Sequence, residues 1–422
     1  MKNSFSFLLM LAFIPLIQSC NKDKGTIEVT YNKATALYTN VDDLRSAPVH
    51  GTSRSITNPG KIFIDNSLLL IGEELEGIHV FDNSNPSNPV NSGFISIPYA
   101  KEFYVENNIL YVESHYDFMK IDISNPTSPV LLSRVENAFG DFMLNDQGQV
   151  LVGFKNEMVT EKFEAGSREM KILENSSILY YDYANNLIPN SVVPSSFTGN
   201  SNSANGTINR IALLNNHVFV IGASKLYNFD NTGSSMNFVE EKYISSDLET
   251  IYPQNDKLYI GTRFSMIVVD ATNPNSVNQQ GEYWHPTSCD PVLPMGNLAY
   301  LTLRTGDFSG CAGDENALHV VDITNPSNPA ALNVIPMNSP YGMTMISNYL
   351  FVAEGTNGLK IFDATDPVNL VQVHSDNSVV AYDMMAHPTN PNILLTTGEN
   401  GLSQYSIDFL NLDLSMLSSV NY

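Results

Sequence analysis

Of the 422 residues only three are cysteine and one is tryptophan, and lysine and arginine together number 21 against 44 aspartates and glutamates. Three cysteines are too few to build a disulfide framework, so the fold must rest on a hydrophobic core. A formal charge of −23 repels phosphate backbones and anionic lipid surfaces, which excludes nucleic acid as a partner. The acidity itself reads as solubility near a surface, with cation capture as the alternative. The eight histidines show neither a His-Glu-x-x-His pattern nor any paired ligand spacing, so no metal site is expected. There is no Gly-x-Ser-x-Gly elbow and no phosphate loop, and hence no catalytic signature and no implied cofactor. Beyond the N-terminus no apolar run is long enough to cross a membrane.

The one long apolar run is Phe5 to Ile17, preceded by Lys2 and followed by small and polar residues up to Cys20. That is the layout of a secretory signal peptide over residues 1–19, too short for a stable membrane span. Leu16-Ile17-Gln18-Ser19-Cys20 resembles the lipobox of bacterial lipoproteins, which implies that the Cys20 thiol carries a diacylglycerol and that Cys20 becomes the new N-terminus. The alternative is an ordinary signal peptide with a chance cysteine. Residues 20–25 are polar and suit a tether between lipid and domain. Lys22-Asp23 is similar to the charged export tags of Bacteroidetes surface lipoproteins, which implies an outer-membrane lipoprotein facing the exterior, with the periplasmic face as alternative. Membrane association is then through the lipid alone.

From about residue 58 one unit recurs: a short apolar strand ending in Asp, then a turn rich in Asn and Pro. The anchors are Asp82, Asp122, Asp270, Asp322 and Asp363, with weaker copies at Asp182 and Asp230 and an eighth in which Ser406 replaces Asp. The spacing is 40 from Asp82 to Asp122, 40 from Asp230 to Asp270 and 41 from Asp322 to Asp363. Another β-branched or aromatic run precedes each anchor strand, as in Leu68 to Ile71, Ile109 to Val112 and Tyr349 to Val352, and Asn357-Gly358 and Asn400-Gly401 are hairpin dipeptides. Four strands per repeat of about 40 residues fits an all-β fold, a single β-propeller of about eight four-stranded blades over residues 26–422, with seven blades as the alternative. Each anchor Asp is expected to accept backbone N–H groups of its turn, a structural role. Thr26 to Thr30 and Ala36 to Thr39 are expected to close the ring by joining the last blade, formed by Ile393 to Leu395, Leu402 to Tyr405 and Phe409 to Leu414.

Ile267-Val268-Val269-Asp270 and Leu318-His319-Val320-Val321-Asp322, each with its trailing Asn-Pro, resemble the LVIVD repeat of bacterial surface propellers. The resemblance implies an extracytoplasmic β-propeller with a binding or adhesion role and no agreed reaction.

Cys289 and Cys311 remain once Cys20 is lipidated, and they flank one hairpin. In an oxidising compartment they read as a disulfide worth roughly 3 kcal/mol, with a free thiol or a metal-ligand pair as the rival. The stapled loops hold Trp284, His285, Asp290 and Arg304, the candidate binding residues, unless the loop is locked only against proteolysis. Glu73, Glu113 and Glu354 each stand nine residues before their anchor. Repeat symmetry then makes them candidate channel-mouth carboxylates, against the plainer reading of solvated turn residues. The charged insertion from Lys155 to Leu173 reads as a long hairpin or a short helix, and Thr198 to Gly206 as a loop. The sequence thus points to a non-catalytic binding module for a protein or glycan at the cell surface. The alternative is an extracytoplasmic enzyme, such as a glycan lyase or hydrolase, using Tyr283, His285, Asp290 and Arg304; a third reading is a scaffold within a larger surface complex.

Overall fold

A computed structural model of the chain describes residues 25–188, 210–286, 291–305, 313 and 315–422. Cys20, Cys289, Cys311, Asp290 and the loop from Thr198 to Gly206 lie outside the described residues, and so do the signal-peptide, lipidation and disulfide expectations. The chain is all-β and forms a β-propeller with eight sheets, which answers the eight expected repeats. It divides into two compact units where a single domain was expected: a larger one, 38–152 and 210–422, and a smaller one, 25–37 with 153–188.

The larger unit holds seven of the eight sheets. Each is made of four consecutive antiparallel strands, and we number them blade 1 (59–96), blade 2 (100–135), blade 3 (211–243), blade 4 (248–284), blade 5 (292–336), blade 6 (343–376) and blade 7 (383–420). Blade 1 gains a fifth strand, Val49–Gly51, beside Val90–Ser96. The first strand of blade 2 packs directly on that of blade 3, although the chain leaves the unit between them. Every blade has a register shift between its third and fourth strands, such as Val268/Val269 and Val320/Val321, and such bulges increase strand twist.

Burial follows the alternation of the strands. Leu70, Ile78 and Val80 pack with Phe103, Val105 and Leu110 between blades 1 and 2, and Tyr300, Leu318 and Val320 pack with Met343 and Leu350 between blades 5 and 6. Six anchors do what was expected of them. The carboxylates of Asp82, Asp122, Asp230, Asp270, Asp322 and Asp363 accept from the backbone N–H two residues on, at 2.8 to 3.0 Å. In blade 7 the third strand runs two residues past Ser406, and Asp408 takes over, accepting from Leu410 N at 2.9 Å. The Asn-Pro and Asp-Pro turns also latch the blades together, because their carbonyls accept from side chains of the preceding blade. Asn228 donates to Pro274 O at 2.6 Å, Tyr300 to Pro367 O at 3.1 Å and Ser418 to Pro86 O at 2.6 Å.

The last of these joins blade 7 to blade 1 and replaces the expected strand exchange. The fourth strand of blade 7 is its own Asp413–Val420, and neither Thr26 to Thr30 nor Ala36 to Thr39 pairs with that blade. Closure comes from Ile62, Ile64 and Ile71 packing on Ile393, Leu395 and Leu402, and from a reciprocal pair of amide hydrogen bonds between Asn83 and Gln404, at 3.0 and 2.8 Å.

Thr26–Thr39 belongs instead to the smaller unit's sheet, between Val150–Glu164 and Ile178–Tyr181, and it runs parallel to the latter. Tyr31, Leu179 and Tyr181 form its core with Phe163 and Ile172. The insertion holds the expected short helix, Arg168–Leu173, capped by Ser167, but in place of a hairpin it has one long strand, Val150–Glu164, beside Thr26–Thr39. Asp182 also accepts a backbone N–H of its turn, as expected, but from Asn186, four residues on, at 2.7 Å.

Candidate functional site

Strand pairing brings one position of every first strand to the same level. Starting three residues before each anchor on strand three, or at Ser403 in blade 7, the pairing passes to strand two and then to strand one. It runs His79, Ile71, Ile62 in blade 1 and Met119, Val112, Phe103 in blade 2. In blades 3 and 4 it ends at Ile211 and Ile251. In blades 5, 6 and 7 it ends at Val292, Met343 and Met384. The residues just before these seven are Lys61, Glu102, Arg210, Thr250, Pro291, Gly342 and Asp383. Four consecutive blades, 7, 1, 2 and 3, therefore contribute Asp, Lys, Glu and Arg at equivalent places, with a threonine next.

Three of these charges are withdrawn from water, and Arg210 is half-buried. Lys61 is 2 % exposed, Asp383 5 % and Glu102 7 %. Burial pushes the Lys61 ammonium down to about 8, while Glu102 and Asp383 hold it up and Arg210 acts with burial. Asp383 Oδ1 accepts from Met384 N at 2.8 Å and lies where a side chain at position 342 would stand; a Cβ on Gly342 would clash with it. Blade 6 thus has glycine in the ring because the neighbouring carboxylate occupies that space. Below the ring, Tyr104 and Tyr252 follow two residues along their strands, and burial raises both phenols, Tyr104 to about 12.

The three expected channel-mouth glutamates separate. Counting from the anchor treats Glu73, Glu113 and Glu354 alike, but the hairpin after Glu113 is one residue shorter than those after Glu73 and Glu354. In register, Glu73 and Glu354 correspond to Ser114, and Glu113 corresponds to Gly72. A one-residue slip turns a strand side chain to the other face. Glu73 and Glu354 are buried and tie down the loops that lead into their blades. Burial opposes the charge of Glu73, but hydrogen bonds from Thr57 Oγ1, His79 and the backbone of Thr57 and Asn58 outweigh it and hold the carboxyl at about 2. Glu354 accepts from Asn338 N at 2.7 Å and faces Lys360 at 3.6 Å. Neither joins a shared ring of carboxylates. Glu113 points to the charged ring: burial pushes it up to about 7, with Lys101 and Arg210 opposing and Glu102 adding.

The other candidates lie at the same end of the blades as the ring. Trp284 closes the fourth strand of blade 4 and is 68 % exposed. His285 follows it, half-buried, its Nδ1 at 2.8 Å from Pro286 O, and burial lowers its pKa. Tyr283 meets His319 of blade 5, hydroxyl to Nδ1 at 2.9 Å. Arg304 lies over the ring of Tyr341 at 4.1 Å, and Tyr341 packs on Tyr382. Tyr283 thus stands with His285 and His319, and Arg304 with Tyr341 and Tyr382. Among the described residues no group of three or more His, Cys, Asp or Glu is placed to hold a metal ion.

Sequence reasoning missed the ring, although a signal was there. Glu102, Arg210 and Thr250 each stand 20 residues before their anchors, while Lys61 stands 21 before Asp82 and Asp383 23 before Ser406. Bulges and hairpins of unequal length hide the equivalence from counting.

The family model for the LVIVD repeat matches residues 99–137, 305–333 and 344–377. This chain carries LVIVD repeats. The matched segments cover blade 2, the end of blade 5 and blade 6. No curated protein matches the chain. Among solved structures, a protein from Lactobacillus plantarum superposes with a TM-score of 0.51 at 11 % identity, over 82 % of this chain and 92 % of that one. The computationally designed Ika8 protein gives 0.50 at 10 % identity, over 88 % and 92 %. A chain of a mitotic checkpoint complex gives 0.50 at 9 %, over 100 % and 98 %. At such identities these likenesses speak for the fold of the LVIVD-repeat chain and not for its chemistry.

Proposed function

We propose that this LVIVD-repeat protein is a lipid-anchored propeller on the outer membrane, facing the exterior, that binds a protein or glycan there and catalyses nothing. The observation that carries the reading is Trp284, the one tryptophan of the chain, 68 % exposed at the end of a rigid strand. An exposed indole on a fixed frame offers a large contact area at little entropic cost, as binding hot spots do. The Arg304 and Tyr341 stack supplies a second planar, polar surface at the same end of the blades. The anchor rests on Cys20 and the polar tether after it, and Cys20→Ala is expected to release the protein from the membrane fraction.

The test is cross-linking on intact cells with a tagged copy, followed by mass spectrometry of the captured peptides. One reproducible protein or glycan, lost with Trp284→Ala in a chain that melts normally, supports the proposal. Capture unchanged by that substitution overturns the assigned surface. An extracytoplasmic enzyme such as a glycan lyase or hydrolase is the second reading. Glu113 favours it, because a carboxyl held at about 7 beside Lys101 and Arg210 has the proton affinity of a general acid. Turnover of a surface glycan abolished by Glu113→Gln at unchanged melting temperature would decide for catalysis.

A further inference from the structure

We infer that the ring of first-strand residues is a binding site for a small zwitterion of the α-amino acid class, held by Glu102, Arg210 and Thr250. These three residues occupy the same register position in blades 2, 3 and 4 and come from segments up to 148 residues apart in the chain. Glu102 is 7 % exposed and Thr250 1 %. Glu102 Oε2, Arg210 Nε and Thr250 Oγ1 are each buried with no hydrogen-bond partner in the protein. Arg210 is nevertheless held in place, since its Nη2 donates to Leu248 O of blade 4 at 3.2 Å.

Buried polar groups are almost always paired, and a charged one left unpaired is the most costly of all. Here an unpaired acceptor on an acid, an unpaired donor on a base and an unpaired hydroxyl stand at one level on three adjacent blades. A simple cation would satisfy Glu102 and leave Arg210 facing another positive charge. A simple anion would do the reverse. A molecule with an ammonium and a carboxylate on one carbon satisfies both, and Thr250 can donate to the second carboxylate oxygen. The field around the site agrees: Lys61 and Arg210 stand on either side of Glu102, so the signs alternate from blade to blade. Small-molecule sites are commonly concave places where a few polar groups converge, and the mouth of a ring of strands is one. The site does not involve Trp284 and does not depend on the surface proposed above.

Isothermal titration calorimetry of the purified full chain with the common L-amino acids tests the inference, with acetate and methylamine as the single-charge halves. The expected result is saturable binding of at least one amino acid, with each half at least about 10-fold weaker. Glu102→Gln and Arg210→Gln should each weaken binding by about 10-fold or more and Thr250→Val by about 3-fold. Trp284→Ala should leave it unchanged. No saturable heat from any amino acid with chain that is folded by near-ultraviolet circular dichroism overturns the inference. So does binding of acetate or methylamine as tight as that of the whole zwitterion, or binding indifferent to the substitutions. If a charge variant fails to fold, Thr250→Val, which keeps shape and β propensity, still decides.

Discussion

The two ends of the blades use the same strands in opposite ways. Where the third strand turns into the fourth, six blades repeat one device, a carboxylate accepting the N–H two residues on. The carbonyls of the turns that follow hold the preceding blade. At the other end, equivalent positions carry Lys61, Glu102, Arg210, Thr250, Pro291, Gly342 and Asp383, all different but for their place. Repetition marks a geometric requirement that every blade shares, and difference at a shared position marks freedom to specialise. The specialised end is not wholly devoted to a ligand, however. Glu73 and Glu354 sit there and serve the fold.

The strongest way to break that comparison is to remove a tether from the variable end. Glu73→Ala leaves Thr57 N, Asn58 N and His79 without their acceptor and should lower stability by about 3 kcal/mol in urea titrations at pH 7. Because the folded carboxyl is held at about 2, below its ordinary value, its stabilisation is full above about pH 4.5 and fades as pH falls toward 2. The difference between variant and parent should shrink over that window.

Glu113 sharpens the contrast, since its sign is opposite. A carboxyl raised to about 7 is disfavoured when charged, so parent stability should fall as pH rises from about 4.5 to 7. Glu113→Gln should be near neutral at pH 4 and stabilising by about 2 kcal/mol at pH 8, after allowing for partial solvent screening. Stability that does not depend on pH between these limits would place Glu113 in water.

At the repetitive end, Gln404→Leu removes the closing amide pair and strands Asn83, which is 1 % exposed. A loss of about 1–2 kcal/mol is expected, with earlier unfolding of blades 7 and 1 in hydrogen exchange. A loss below a few tenths would mean that the apolar seam alone closes the ring. The smallest effect belongs to a single anchor: Asp322→Ala should lower Tm by about 2 °C, because its carboxylate is solvated and only the turn's start is loosened. Ser406→Asp should gain nothing, since Asp408 already caps that turn.

Much of this was legible without coordinates, and what was legible was local. Ile267-Val268-Val269-Asp270 and its Asn-Pro turn declare themselves because strand, cap and turn lie within ten residues and recur. The same locality explains why Glu113 was grouped with Glu73 and Glu354, since counting back from Asp122 cannot see that its hairpin is one residue shorter than that of Glu73. It also explains why Thr26 to Thr30 was assigned to the wrong sheet. Its strand character was plain from composition, but its partner, Ile178–Tyr181, lies about 150 residues away and pairs with it in parallel.

By itself the sequence determined the repeat, the all-β class, the anchor turns and the apolar faces that blades present to one another, because each depends on residue types at short, recurring spacings. Tertiary structure alone decided how the eight sheets divide between two units, how blade 7 meets blade 1, and that Asp383, Lys61, Glu102 and Arg210 stand side by side. Strand pairing and ring closure set those neighbours, and both act across hundreds of residues through register, where a single bulge or hairpin residue shifts which side chains meet.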